Sequence, residues 1–235
     1  TAWNCPDATM AWLDAMTRTF IKNIYPRYFR YEPEKPWRIV CFATKEEFAR
    51  ATETGVYGFY RPAERTIYTY ATSGHGTLWH ELVHAFIDQN ASRPPPQWFG
   101  EGLASFYEMA WPDRSGGILE GFANWRHPAL VRAIRAGKLE PLAHFLGTRT
   151  MADPHGYARA RFLFCYLWHR QAIVPFVTWF LEVLSPTVPE NETGRQVVAW
   201  LERRFGMSIQ NIEAGMHALA LATRQDEKLR QDAAP

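Results

Sequence analysis

A chain of 235 residues that is 47% apolar and 15% aromatic can close one substantial core, or one large domain with a smaller helical lobe. A net charge of +2 makes no electrostatic case for a nucleic acid or a charged membrane surface as partner. The longest apolar stretches, residues 162–168 and 172–184, are too short to span a bilayer, and the second carries Pro175 and Glu182, so both read as core helices.

Taken in chain order, residues 7–24 read as a helix. Pro6 and Asp7 supply start signals, and Met10, Leu13, Met16, Phe20 and Ile24 form an apolar stripe. Residues 26–36 are a proline-punctuated connection. Residues 37–43, with Ile39 and Val40, predict a short buried strand. Thr44 then starts a helix, with Glu47 placed to close a capping box. Residues 55–60 and 66–71 are aromatic, β-prone runs separated by the polar turn 61–65, which predicts a hairpin. Ser73-Gly74-His75-Gly76 breaks the chain, and Thr77 is placed to cap a helix running to about Gln89. Pro94-Pro95-Pro96 makes a stiff link to a second helix over residues 97–109. From residue 124 onward the pattern is helical, over 124–136, 157–170, 174–184, 194–205 and 208–223, and the last dozen residues are polar and expected to fray. The expected fold is α+β. A part with a small mixed β-sheet covers residues 1–123, a mostly helical lobe covers 124–235, and the two form one compact unit.

The cysteines Cys5, Cys41 and Cys165 lack CxxC spacing, so a cysteine zinc site is not expected. A Cys5–Cys41 disulfide and three reduced, buried thiols both remain open. No signal peptide is legible, and a start at Thr1 reads as the beginning of a trimmed or mature chain.

The chemistry concentrates in His80-Glu81-Leu82-Val83-His84, followed by Glu101 within Trp98-Phe99-Gly100-Glu101-Gly102-Leu103-Ala104. On a helix, positions i and i+4 share a face, so His80 and His84 can turn ring nitrogens toward one metal while Glu81 reaches a water on it. A bare HExxH pattern arises often by chance. Here the flanking Leu78, Trp79, Leu82, Val83, Phe86 and Ile87 are apolar, as a buried helix needs, and Glu101 follows on a second helix. Three protein ligands leaving one position for water is the open arrangement of catalytic zinc, whereas structural zinc is usually closed by four ligands. His75 reads as a flexible surface histidine, and His127, His144 and His169 as structural. Arg159, Arg161 and Arg170 have the chemistry to bind a carboxylate, but the simpler reading is solvated helix positions.

At these residues the chain resembles the gluzincins, zinc metallopeptidases in which a glutamate on a following helix completes HExxH. The likeness is strong over about residues 66–107 and weaker beyond. It implies a zincin-like fold and one Zn2+ per chain, held by His80, His84 and Glu101. It also implies hydrolysis of a peptide or protein by zinc-activated water, with Glu81 as general base. Tyr157 resembles the tyrosine that begins the corresponding aminopeptidase helix, which implies a donor to the developing oxyanion, with His155 as the alternative. The strand at 66–71, with Tyr68 and Tyr70 on one face, reads either as a cleft edge that pairs with extended substrate or as a plain hairpin strand. No Gly-x-Met-Glu-Asn segment precedes the motif, which points to an endopeptidase. Where thermolysin-like enzymes place an aspartate four residues after the glutamate ligand, this chain has Ser105, so another group must orient His80; Asp88 reads equally as that group or as a solvated helix end. The nearest likeness, to small bacterial peptidases, implies an exported compartment, periplasmic or secreted. Two other readings keep the zinc: a catalytically silent or occluded binding module, and a hydrolase of a non-peptide amide such as a cell-wall crosslink. The sequence carries no signal for oligomeric state.

Overall fold

The structure, a computed structural model, describes residues 2–3, 5–29 and 36–223. Most of the expected 26–36 connection and the polar tail from residue 224 lie outside the described residues. The fold is α+β, with a small sheet and mostly helical content. It divides into two compact units: the chain up to Asn90 with Tyr107–Glu120, and Ala91–Phe106 with the chain from Gly121 onward. The segment bearing Glu101 groups with the helical unit.

The first unit comprises β1 (Ala2–Trp3), α1 (Asp7–Tyr28), β2 (Arg38–Phe42), α2 (Lys45–Thr52), β3 (Gly58–Arg61), β4 (Thr66–Tyr70), α3 (Gly74–Asn90), β5 (Trp111–Pro112) and β6 (Ile118–Leu119). Its main sheet has the order β1-β2-β4-β3. β2 runs parallel to β4 with Ile39 opposite Ile67, and β3 closes the expected hairpin antiparallel to β4. β4 is thus internal, paired on both sides. The edges of this sheet are β1 and β3.

α1 runs past its expected end at residue 24, through Pro26, to Tyr28. An interior proline costs about 3 kcal/mol. Burying Tyr25, Tyr28 and Phe29 offsets that cost at about 1.5–3 kcal/mol for each large side chain. Tyr25 and Phe29 both pack on Phe86, at 4.9 and 5.6 Å between ring centroids. Further along α1, Phe20 stacks on Trp79 at 4.7 Å and meets Tyr107 edge-on at 5.2 Å. α2 is capped as expected, Thr44 Oγ1 accepting from the Glu47 amide at 3.1 Å. α3 starts at Gly74, earlier than expected. Thr77 is inside the helix and its hydroxyl donates back to the Ser73 carbonyl at 3.1 Å, so it does not cap.

The second unit comprises α4 (Gln97–Tyr107, its last residue grouping with the first unit), α5 (His127–Arg135), α6 (Leu142–Gly147), α7 (Gly156–His169), α8 (Ile173–Trp179), α9 (Ser185–Thr187), α10 (Thr193–Phe205) and α11 (Ile209–Ala222). A π-helical turn, Phe180–Leu184, joins α8 to α9, so the single helix expected over 174–184 changes its winding midway. The turn sets Phe180 flat on Phe99 at 3.9 Å. α4 and α7 approach backbone to backbone, for a Cβ at Gly102 would meet the Phe164 ring at 2.6 Å and the Ala160 carbonyl at 2.9 Å. Arg159 and Arg161 are buried, not solvated. Arg161 donates to the Ser105 carbonyl at 2.8 Å and Arg159 to Glu213 at 2.8 Å. Among the described residues, no helix is long and apolar enough to cross a membrane.

Candidate metal centre

α3 is apolar on most of its surface, with Leu78, Trp79, Leu82, Val83, Ala85, Phe86 and Ile87 buried. Packing therefore fixes the helix and the directions of the polar groups it carries. His80 and His84 lie one turn apart, and their Nε2 atoms face each other at 3.0 Å. Two nitrogens on one tetrahedral zinc stand about 3.3 Å apart at ordinary zinc–nitrogen lengths, so this spacing suits a shared ion.

The other side of the His80 ring meets a carboxylate absent from the sequence reading. Glu108 Oε1 lies 3.0 Å from His80 Nδ1, and both side chains are largely buried. The pair stands in close polar contact without meeting the geometry of a hydrogen bond. A proton on Nδ1 facing this carboxylate leaves the Nε2 lone pair for a metal, the usual arrangement behind a ligating histidine. Asp88, the expected partner, instead accepts from the Tyr60 hydroxyl at 2.9 Å. Burial, reinforced by Asp88, pushes the Tyr60 phenol up to about 12.

Gly76 is what lets Glu108 come so close. A Cβ at Gly76 would lie 2.2 Å from the Glu108 carbonyl oxygen, so only glycine admits that backbone. Gly76 precedes His80 by one helical turn, so the strand of chain that rests on Gly76 delivers its carboxylate to His80. No sequence pattern points to Glu108, which lies just past the end of α4 at Tyr107.

His80, His84 and Glu101 form a group able to hold a metal ion, with one ligand atom from each lying within 4.8 Å of the others. Glu81 is 8% exposed, and among the described residues no hydrogen bond or ion pair engages its carboxylate. Its oxygens are not among the fully buried unpartnered atoms and so keep access to water. His75, expected as a mobile surface histidine, is buried between Trp79 and Trp111 with Nε2 2.9 Å from the Ala110 carbonyl, and burial lowers its pKa.

Tyr157 opens α7 and is 38% exposed. Its hydroxyl accepts from Gln97 Nε2 at 3.1 Å, which leaves its own proton to donate elsewhere. Burial and then the Glu101 carboxylate raise its pKa, so the phenol lies within electrostatic reach of Glu101. His155 precedes α7, its amide donating to Asp153 at 2.8 Å. The two tyrosines expected to meet substrate are otherwise engaged. Tyr70 is 4% exposed in a cluster with Phe42 and Phe48. Tyr68 donates to Glu64 and stacks on Phe59 at 5.1 Å. Cys5 and Cys41 bring their sulfurs to 3.4 Å as free thiols, and Cys165 is buried and free.

No family model matches this chain, and no curated protein matches it either.

Proposed function

We propose that the protein is a zinc-dependent peptidase with a zincin-like catalytic fold, acting as an endopeptidase. One observation carries this reading: His80, His84 and Glu101 form a metal-capable group, and the Glu81 carboxylate next to the first of these histidines is engaged by no hydrogen bond or ion pair among the described residues. The donor set of two imidazoles and one carboxylate suits zinc and leaves a position open. The carboxylate behind His80 supports the same choice.

Bound there, zinc supplies a Lewis acid that polarises the scissile carbonyl and makes water acidic. Glu81 accepts the proton from the attacking water and delivers it to the leaving amine. Glu108 keeps His80 in one tautomer and one orientation. Tyr157 donates its free proton as a hydrogen bond to the oxygen on which charge develops. The extended substrate pairs with the outer edge of β3.

The test compares zinc-loaded protein with Glu81→Gln on a diverse peptide library read by mass spectrometry. The substitution is isosteric and removes the base. Bound zinc should persist while cleavage falls by about 10²- to 10⁴-fold. Internal cuts that vanish in the variant support the reading. Undiminished cutting by Glu81→Gln overturns the mechanism.

A further inference from the structure

Two of the three thiols meet at a place that the proposed hydrolysis does not use. Cys5 Sγ lies 3.4 Å from Cys41 Sγ, across 36 residues of sequence, and both side chains are buried. Both belong to the first unit. Cys41 stands within the sheet: in β2 it is paired with Ala2 of β1 on one side and with Thr69 of β4 on the other. Cys5 lies in the short link between Trp3, the end of β1, and Asp7, the start of α1. The α1 end of that link is fixed, because the Pro6 carbonyl accepts from the Met10 amide at 3.1 Å. Backbone therefore brings the two sulfurs together, and a disulfide needs only a further approach to about 2.0 Å.

The β1 end of the link is held lightly. β1 is two residues long, and its register with β2 consists of Ala2 opposite Cys41 and Trp3 opposite Phe42. So short a strand at a sheet edge adds little stability of its own. A covalent bond from Cys5 to Cys41 removes the open arrangements available to this segment, as loop closure does.

The two cysteines differ in how they meet an oxidant. Cys41 is fully enclosed, whereas Cys5 is 8% exposed. Burial, and then the adjoining Cys5 thiol, push the Cys41 thiol up to about 12, so Cys41 holds little thiolate. Cys5 attacks first. Its thiolate bonds to one sulfur of a disulfide oxidant and expels the other as a thiolate. The Cys5 thiol that helped to hold Cys41 up is then gone. Cys41, as thiolate, bonds to the Cys5 sulfur and expels the second thiolate. The two expelled thiolates take up the two cysteine protons, the cysteines lose one electron pair, and the oxidant is reduced to two thiols.

We propose that Cys5 and Cys41 form a thiol–disulfide modification site, oxidised by a disulfide of low molecular weight, whose closure locks β1 onto β2. The site stands apart from the peptidase reading, because no proposed metal ligand or catalytic group takes part.

The intact chain is equilibrated in mixtures of reduced and oxidised glutathione, quenched with an alkylating agent in denaturant, and mapped by mass spectrometry. As the mixture becomes more oxidising, Cys5 and Cys41 should lose alkylation together and appear as one crosslinked species. Cys165, which Arg161 engages at 3.1 Å, should stay alkylated. Hydrogen exchange over β1 and β2 should slow by about tenfold or more in the oxidised form. Cys5→Ser should take no crosslink and should exchange alike in reduced and oxidised buffer. Alkylation of Cys5 and Cys41 in every mixture, a mixed disulfide with glutathione as the end product, or a crosslink to Cys165 overturns the site. A Cys5–Cys41 crosslink that leaves exchange unchanged overturns the lock on β1.

Discussion

Helix α3 and the start of α7 carry the two halves of the proposed chemistry, and they are built in opposite ways. α3 is enclosed: its apolar residues are buried, Glu81 is nearly so, and His80 is backed by Glu108 at 3.0 Å. The start of α7 is open, with the Tyr157 ring exposed and its hydroxyl held by Gln97. Groups that hold a metal and move a proton must be set before substrate arrives, because reorganisation at that moment adds to the barrier. A group that donates to the substrate must stand where the substrate can reach it.

Three substitutions sharpen or break this contrast. Tyr157→Phe removes one donor from the open side, and should lower kcat by about 10²- to 10³-fold with little change in KM. An unchanged kcat would remove Tyr157 from the mechanism. On the enclosed side, Glu108→Gln keeps the shape and deletes the charge behind His80. Zinc affinity, measured by competition with a chromogenic chelator, should drop by about 10- to 100-fold. An affinity within twofold of the parent would mean the contact does not hold the ring. The smallest effect concerns His75. Its folded pKa is lowered by burial, so its contribution to stability is complete above the ordinary imidazole value and declines as pH falls toward the depressed one. Thermal melts below pH 6.5 should therefore lose stability with a slope that His75→Gln lessens; equal slopes would show that the imidazole titrates alike in both states.

The metal-capable trio was legible because its rule is local: four residues of helix bring two imidazoles to one face, and a second helix adds Glu101. Glu108 was not, because its nearness to His80 depends on a backbone contact at Gly76 between segments distant in sequence. The hairpin at residues 58–70 was legible from its aromatic runs and turn, yet the sequence left open whether its second strand is an edge. Alternation shows which side chains share a face, but not what lies beside a strand, and the parallel pairing with β2 decides that. Tyr70 went astray for the same reason, since Phe42 of β2 helps to bury it. The buried Arg159 and Arg161 mislead any reading by charge, because their partners, Glu213 and the Ser105 carbonyl, lie 54 and 56 residues away.

The sheet order has one more consequence. β3, an edge strand that is proposed to meet substrate, is four residues long and ends at Arg61, directly before Pro62. Proline has no amide proton to give, and a charged arginine resists desolvation, so a second copy of the chain finds little ladder to extend. The same brevity that limits a docked peptide to a few backbone bonds protects the folded protein from edge-to-edge aggregation.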